Sequence, residues 1–365
     1  MASALYGPGG FFVSGAGGVS GARGPAAHFR TSAHASPLFA GALLRLVARV
    51  DEALGHPARL DLVDVGAGGG ELLRTLLVLA PPDMAARLRP VGVDLAPRPA
   101  GPPAAIEWSD AVPPQVTGVL LATEWLDNVP LDVVEVGPDG TPRYVDVDPA
   151  GRESLGGPVS AEDARWLARW WPLPARAVGT HVGAGAVGVQ ADVGARAVGA
   201  QADVGARAEV GRPRDDAWLA AVRAVVRGLA LAVDYGHLRE ARPLGGTLTG
   251  YRDGRQVAPV PDGSCDLTAH VAIDSVAAAA GTPYALLSQR EAMRALGVDG
   301  TRPPLHQAST DPAGYVRALA AASAAAELTD PRGLGGHWWL LHPIGIDPQS
   351  ITRWTGSPVT REITS

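Results

Sequence analysis

Hydrophobic and polar positions follow two periods along this chain. Residues 60–65, LDLVDV, form a short apolar run, and glycines follow at 66, 68, 69 and 70; Leu72, Leu73, Leu76, Leu77 and Leu79 then recur at helical spacing. An apolar run of that length before a glycine turn predicts a buried parallel strand feeding a helix. Further apolar runs at 90–95, 104–108, 117–123 and 229–236 read as strands, with 337–342, HWWLLH, as a closing one. Helical stripes fall at 36–54, 161–171, 215–228, 270–281, 288–296 and 312–327. Ser36 and Pro37 suit the start of the first of these, while Asp215 or Asp216 and Gly228 suit the ends of the third. The stretches 131–136 and 143–147 flank Pro138-Asp139-Gly140 and predict a hairpin. Strands alternating with helices give an α/β fold with a doubly wound, mostly parallel sheet.

Two stretches depart from this pattern. Residues 1–27 are glycine-rich yet carry Tyr6, Phe11 and Phe12, which suits a segment ordered against a core or ligand. Within 177–211, AVGVQADVGAR (186–196) is followed by AVGAQADVGAR (197–207). Two copies are too few for a self-supporting repeat stack, and such small side chains offer little to pack. The expected division is a covering segment over 1–58, a core over 59–345 interrupted by a low-complexity insertion at 177–211, and a tail over 346–365.

Composition narrows the classes of function. The 365 residues are 46% hydrophobic and carry a net charge of −6, with arginine supplying every basic side chain and lysine absent. No arginine cluster is dense enough to track a phosphate backbone, so nucleic acid is not an expected partner. The single Cys265 excludes an internal disulfide or a cysteine-based metal site. No His, Cys and carboxylate grouping has metal-ligand spacing, so no metal is expected. No apolar run approaches the ~20 residues that span a membrane, and no secretory pattern opens the chain. A soluble cytoplasmic protein is expected.

The glycine turn carries the chemistry. It reads Asp64-x-Gly66-x-Gly68-x-Gly70, whereas the dinucleotide fingerprint G-x-G-x-x-G would need glycine where Glu71 or Leu73 stands. Asp64-x-Gly66-x-Gly68-x-Gly70 resembles the first motif of Rossmann-like S-adenosylmethionine (SAM) methyltransferases. Asp94, 24 positions beyond Gly70 at the end of the second strand, is placed to bind ribose hydroxyls.

Several stretches together resemble one family, the MidA-type SAM-dependent methyltransferases, whose mitochondrial members support respiratory complex I assembly as protein arginine methyltransferases. They are ALYGPGGFF (4–12), HFRTSAHASPLF (28–39), LVDVGAGGGEL (62–72), LLATEWLDNVP (120–130), AVDYG (232–236), DLTAHV (266–271) and LLSQREAMRALGV (286–298). The resemblance implies a class I SAM methyltransferase core with N-terminal and inserted substrate-recognition segments. It implies Asp64, Gly66, Gly68 and Gly70 around the cofactor, Asp94 on the ribose, Asp110 near the adenine, and Glu124 with Asp127 as an acidic pair. The sequence departs from the family pattern at His28 and His34, which stand in usually acidic places, and at Ala67 and Gly69 in the loop.

Methyl transfer from a sulfonium is an in-line displacement, so positioning and charge complementarity supply most of the catalysis. Glu124 ends a central strand, where ligands bind in open α/β sheets, and Asp127 lies three residues on. Such a pair could hold a guanidinium or accept its proton. Asp234, Tyr235 and His270 are weaker candidates for the same pocket. The expected acceptor is a protein side chain, plausibly arginine, or a small molecule. A catalytically degenerate SAM-binding assembly factor is a third reading, and a homodimer is allowed.

Overall fold

A computed structural model describes residues 1–13, 31–99, 101, 103–173, 175–176, 201–202 and 204–352. The strands of its central sheet and their companions are, in chain order, β1 (Leu60–Val65), β2 (Leu88–Val93), β3 (Glu107–Ser109), β4 (Val116–Thr123), β5 (Asp132–Val136), β6 (Pro142–Val147), β7 (Glu153–Pro158), β8 (Arg207–Val210), β9 (Val225–Asp234), β10 (Thr249–Arg252), β11 (Arg255–Val257), β12 (Asp266–Thr268), β13 (Ala285–Ser288) and β14 (Trp338–Ile344). The helices that position the site are α1 (Ala2–Tyr6), α2 (Ser32–Ala35), α3 (Pro37–Ala53), α4 (Glu71–Leu79), α5 (Ala161–Trp170), α6 (Arg212–Ala224), α7 (Ile273–Ala279), α8 (Gln289–Ala295) and α9 (Pro312–Leu328).

Seven strands form the central sheet in the order β13-β14-β9-β4-β1-β2-β3. The pairs β1–β2, β1–β4, β4–β9 and β2–β3 are parallel, and β14 runs antiparallel to both its neighbours. Every residue of β1 is buried, as expected for a strand covered on both faces. Leu60 and Leu62 face one apolar layer with α3, α4, α8 and α9, while Val63 and Val65 face the other with α6 and α7. The strand order reverses between β1 and β4, which opens a crevice beyond their carboxyl ends.

A second sheet, β8-β5-β6-β7, packs against Trp166, Leu167 and Trp171 in and beside α5. Residues 207–210, assigned to the insertion on sequence, are therefore a strand paired with β5, and Ala208 and Val210 are buried. Of the repeat at 186–207, residues 186–200 and 203 lie outside the described residues. A third sheet of β10, β11 and β12 carries the N-terminal segment: Leu5 and Phe11 pack with Cys265 and Leu267.

Local chemistry explains most element ends. Ser36 Oγ accepts the Leu38 amide at 3.1 Å ahead of Pro37, and Ser288 with Glu291 forms a full capping box on α8. Two shifts from the sequence pattern have a clear cause in the strand pairing. The third strand begins at Glu107, because only Glu107–Ser109 pairs with β2. Helix α6 starts at Arg212-Pro213 and ends at Ala224, because Val225 and its successors extend β9 through Gly228. Asp215 caps nothing; its Oδ2 accepts from Trp166 Nε1 at 2.7 Å and Ser275 Oγ at 2.5 Å.

Candidate active site

The turn after β1 needs its glycines. Gly66, Gly68 and Gly70 have φ of 76°, 53° and 74°, left-handed values that a Cβ penalises. At Gly66 a Cβ would also stand 3.0 Å from Trp125 Cδ1. The loop is tied to the end of β2, because the Gly68 amide donates to Asp94 Oδ2 at 2.8 Å and the Ala96 amide to Oδ1 at 2.8 Å. Burial pushes Asp94 up, and these backbone donors oppose that rise.

The turn walls one side of a cavity of about 430 Å³ beyond the carboxyl ends of β1 and β4, within the usual range for small-ligand clefts. Among the described residues, its wall contains five carboxylates, Asp64, Glu71, Asp94, Asp110 and Glu124, and no arginine. Tyr6 and Phe12 line it from the N-terminal segment, their rings stacked at 5.6 Å. Asp64 is 2% exposed, and its Oδ1 has no hydrogen-bond partner. Burial, with Asp94 and Glu71 nearby, pushes its carboxyl up to about 8.

Glu124 is the most constrained residue of the wall. It has a φ of +50°, an uncommon conformation for a side chain of its size and one that clusters at functional sites. Two contacts hold it: its amide donates to Val233 O at 2.7 Å, and its Oε1 accepts the Ser32 amide at 2.7 Å. Burial pushes Glu124 up to about 8, against the Ser32 amide and with help from Asp127. His337 Nδ1 lies 3.9 Å from Glu124 Oε1.

Asp127 stands behind this wall, in the short 3-10 turn Leu126–Asn128. Its Oδ2 accepts from Thr268 Oγ1 at 2.6 Å and from the Tyr235 hydroxyl. Asp234 Oδ2 accepts the amides of Leu126 and Asp127 at 2.9 and 3.2 Å. The buried Arg214 donates to the carbonyls of Asp127, Val129, Ala269 and His270. It thereby ties the loop after β4 to the loop after β12, which satisfies its charge in a dry site.

Of the residues singled out on sequence, Asp64, Gly66, Gly68, Asp94, Asp110 and Glu124 meet in one cavity. Gly70 instead caps α4, and Asp127 supports the loop from behind. His34 lines the cavity, its Nε2 3.9 Å from Glu71 Oε2, while His28 lies outside the described residues. Sequence reasoning had no signal for Glu71, Trp125 or Asn128 as wall residues, since each faces the cavity only through tertiary packing. Arg214 was also missed: it stands just before the expected helical stripe at 215–228, where an arginine looks like a solvated residue.

These features fit SAM. A glycine cradle admits close backbone approach, an acidic pair ends β1 and β2, and an orphaned buried carboxylate oxygen can receive an ammonium. The family model described as "Putative S-adenosyl-L-methionine-dependent methyltransferase" matches residues 42–286. The chain belongs to this family. It is a SAM-dependent methyltransferase with SAM as its cofactor. Among solved structures, it is similar to a COG1565 superfamily member from Burkholderia thailandensis bound to S-adenosyl-homocysteine. That match has 25% identity and a TM-score of 0.68, covering 89% of this chain and 81% of the other. A native structure of a COG1565 superfamily protein from the same organism matches at 24% identity and a TM-score of 0.68, covering 95% and 86%. No curated protein matches the sequence. Among the described residues, no helix is long and apolar enough to cross a membrane, and no group of His, Cys, Asp and Glu could hold a metal.

Proposed function

We propose that this methyltransferase acts on a basic nitrogen of a protein side chain, with arginine the best fit, as the MidA-type resemblance implies. The observation that carries the reading is Glu124, a conformationally constrained carboxylate with only 10% of its side chain exposed, in a wall with five acids and no arginine among the described residues. A guanidinium entering this wall would find a fixed carboxylate to hold it and to take its proton. Opposite charge would in turn draw Glu124 back toward its ionised form. The cavity also favours a slender acceptor, since a cofactor of nucleoside and amino-acid size takes up much of 430 Å³.

Bound SAM would supply a methyl group activated as a sulfonium, so that a nitrogen–carbon bond would form as the carbon–sulfur bond breaks with its electron pair left on sulfur. This chain's residues do the rest. In our reading Asp64 holds the ammonium, the Gly66–Gly70 turn accepts the amino-acid half, Asp94 holds the ribose, and Asp110 approaches the adenine. Tyr6, Phe12 and Trp125 exclude water, and Asp127 with Arg214 fixes the loop that presents Glu124. The buried lone Cys265 suits a reducing compartment, and we place the protein in the cytoplasm.

Incubation of the protein and methyl-labelled SAM with a cell lysate tests the acceptor. Label in protein, released as methylated arginine on hydrolysis, supports the proposal; label only in small molecules replaces it with a small-molecule methyltransferase. Glu124→Gln should lower labelling by about a hundredfold or more while SAM binding, measured by calorimetry, persists. Undiminished labelling would remove Glu124 from the mechanism.

A further inference from the structure

The wall around Glu124 leaves one question of proton balance open. A guanidinium that gains a methyl group loses a proton, and a buried carboxyl that takes it must shed it before the next turnover. Glu124 Oε1 faces the Ser32 amide, which can only donate. Asp127 and Asp234 lie close enough to add negative charge; each accepts through Oδ2 and leaves Oδ1 without a partner, but both are buried and so have no exit to solvent for a proton.

The remaining neighbour is His337, at the turn before β14. Its Nδ1 is sealed from solvent, has no hydrogen-bond partner, and stands 3.9 Å from Glu124 Oε1. Its side chain keeps 10% exposure, so the open part of the ring is not Nδ1. The backbone fixes this placement: the His337 amide donates to Leu334 O at 3.1 Å, and its carbonyl accepts the Gln289 amide at 2.7 Å. The Tyr235 ring packs 5.5 Å away, centroid to centroid, on another side.

We propose that His337 carries the proton away from Glu124, as a positioning residue that restores the carboxylate between turnovers. The inference rests on the reading of Glu124 given above. In the step, the Glu124 O–H bond breaks and its electrons stay on the carboxylate. The proton joins the lone pair of His337 Nδ1, and the imidazolium then releases a proton from Nε2 to solvent.

The resting state suits this role. Burial, reinforced by His270, pushes His337 down to about 4, so the ring is neutral, and in its Nε2–H tautomer the Nδ1 lone pair is free to accept. Taken alone, Glu124 binds the proton more tightly. Transfer, however, sets a carboxylate against an imidazolium, and their attraction in a poorly solvated site narrows the difference. The ring therefore holds the proton only in passage.

Labelling of lysate protein from methyl-labelled SAM, with and without added imidazole, tests the proposal. His337→Phe should bind S-adenosyl-homocysteine as the parent does in calorimetry. It should label about a hundredfold more slowly, the lower end of what positioned proton transfer contributes, and in His337→Ala, which vacates the space of the ring, imidazole should restore about tenfold. If His337→Phe fails to bind S-adenosyl-homocysteine, His337→Gln, which keeps polarity but carries no proton through, takes its place with the same expectation. A normal rate overturns the relay, as does a slow rate that imidazole leaves unchanged in His337→Ala. If Glu124→Gln still labels normally, the Glu124 reading falls first; if only Glu124→Gln is impaired, the relay alone is lost.

Discussion

Asp64 Oδ1 and Glu124 are two carboxylates whose environment resists ionisation before any ligand arrives. A buried acceptor without a donor weakens the fold by about 1–3 kcal/mol, and a bound ammonium offsets that cost. Replacing Asp64 by Asn removes the charge that we assign to the ammonium, and SAM affinity should fall about 10–100-fold by calorimetry. The same variant should change the pH dependence of the ligand-free protein in a definite direction. The Asp64 carboxyl is raised from 3.8 to about 8, so its contribution to stability is fully present below the unfolded value and is lost as pH rises through 8. Asn does not titrate, so the melting temperature of Asp64→Asn should gain on the parent from about pH 4 to pH 8. A constant gap over that range would show that Asp64 stays ionised.

Strand pairing imposes a different kind of constraint. Gly118 of β4 sits between Asp61 of β1 and Gly228 of β9 in the register of the sheet. A Cβ on Gly118 would lie 2.1 Å from Asp61 O, and one on Gly228 would lie 1.9 Å from Gly118 O; both have positive φ, 148° and 132°. Gly118→Ala should therefore destabilise the protein by about 2 kcal/mol or more, as a clash in a buried strand does, seen as a lower denaturant midpoint. These glycines explain a misreading. In the sequence Gly228 looks like a helix stop, because a glycine needed for close backbone approach within a sheet is indistinguishable from one that ends a helix. The third strand was misplaced for a related reason: AAIEW is apolar enough for a strand, but only its end reaches β2.

Across the whole molecule, three buried histidines weaken the fold as pH falls. Burial pushes His237 down to about 3 and His337 and His342 to about 4. A depressed histidine contributes stability that is present above its unfolded value near 6.5 and is lost as pH falls through its folded value. These three groups therefore lower stability as pH falls from 6.5 to 4, while the raised carboxyls of Asp64 and Glu124 act in the opposite direction. His342, between Trp218 and Tyr284 and away from the cavity, offers the cleanest test. His342→Gln should flatten that decline by up to about 1.4 kcal/mol per pH unit, one proton's share. An unchanged slope of melting temperature against pH would mean that His342 takes no part in that loss.

The sequence by itself determined the layers and the glycine turn after the first strand. Buried parallel strands read as apolar runs, and a glycine loop of fixed spacing is a local requirement of the backbone, so both are visible one residue at a time. Glu124 was also legible, since the end of a central strand follows from strand order. Only the tertiary structure separated Glu124 from Asp127. The two are three residues apart, but the turn Leu126–Asn128 sends one carboxylate into the cavity and the other into a buried network with Tyr235 and Thr268. It also brought Ser32 and His337 to Glu124 from opposite ends of the chain, contacts that no local pattern records because they are made by the packing of loops.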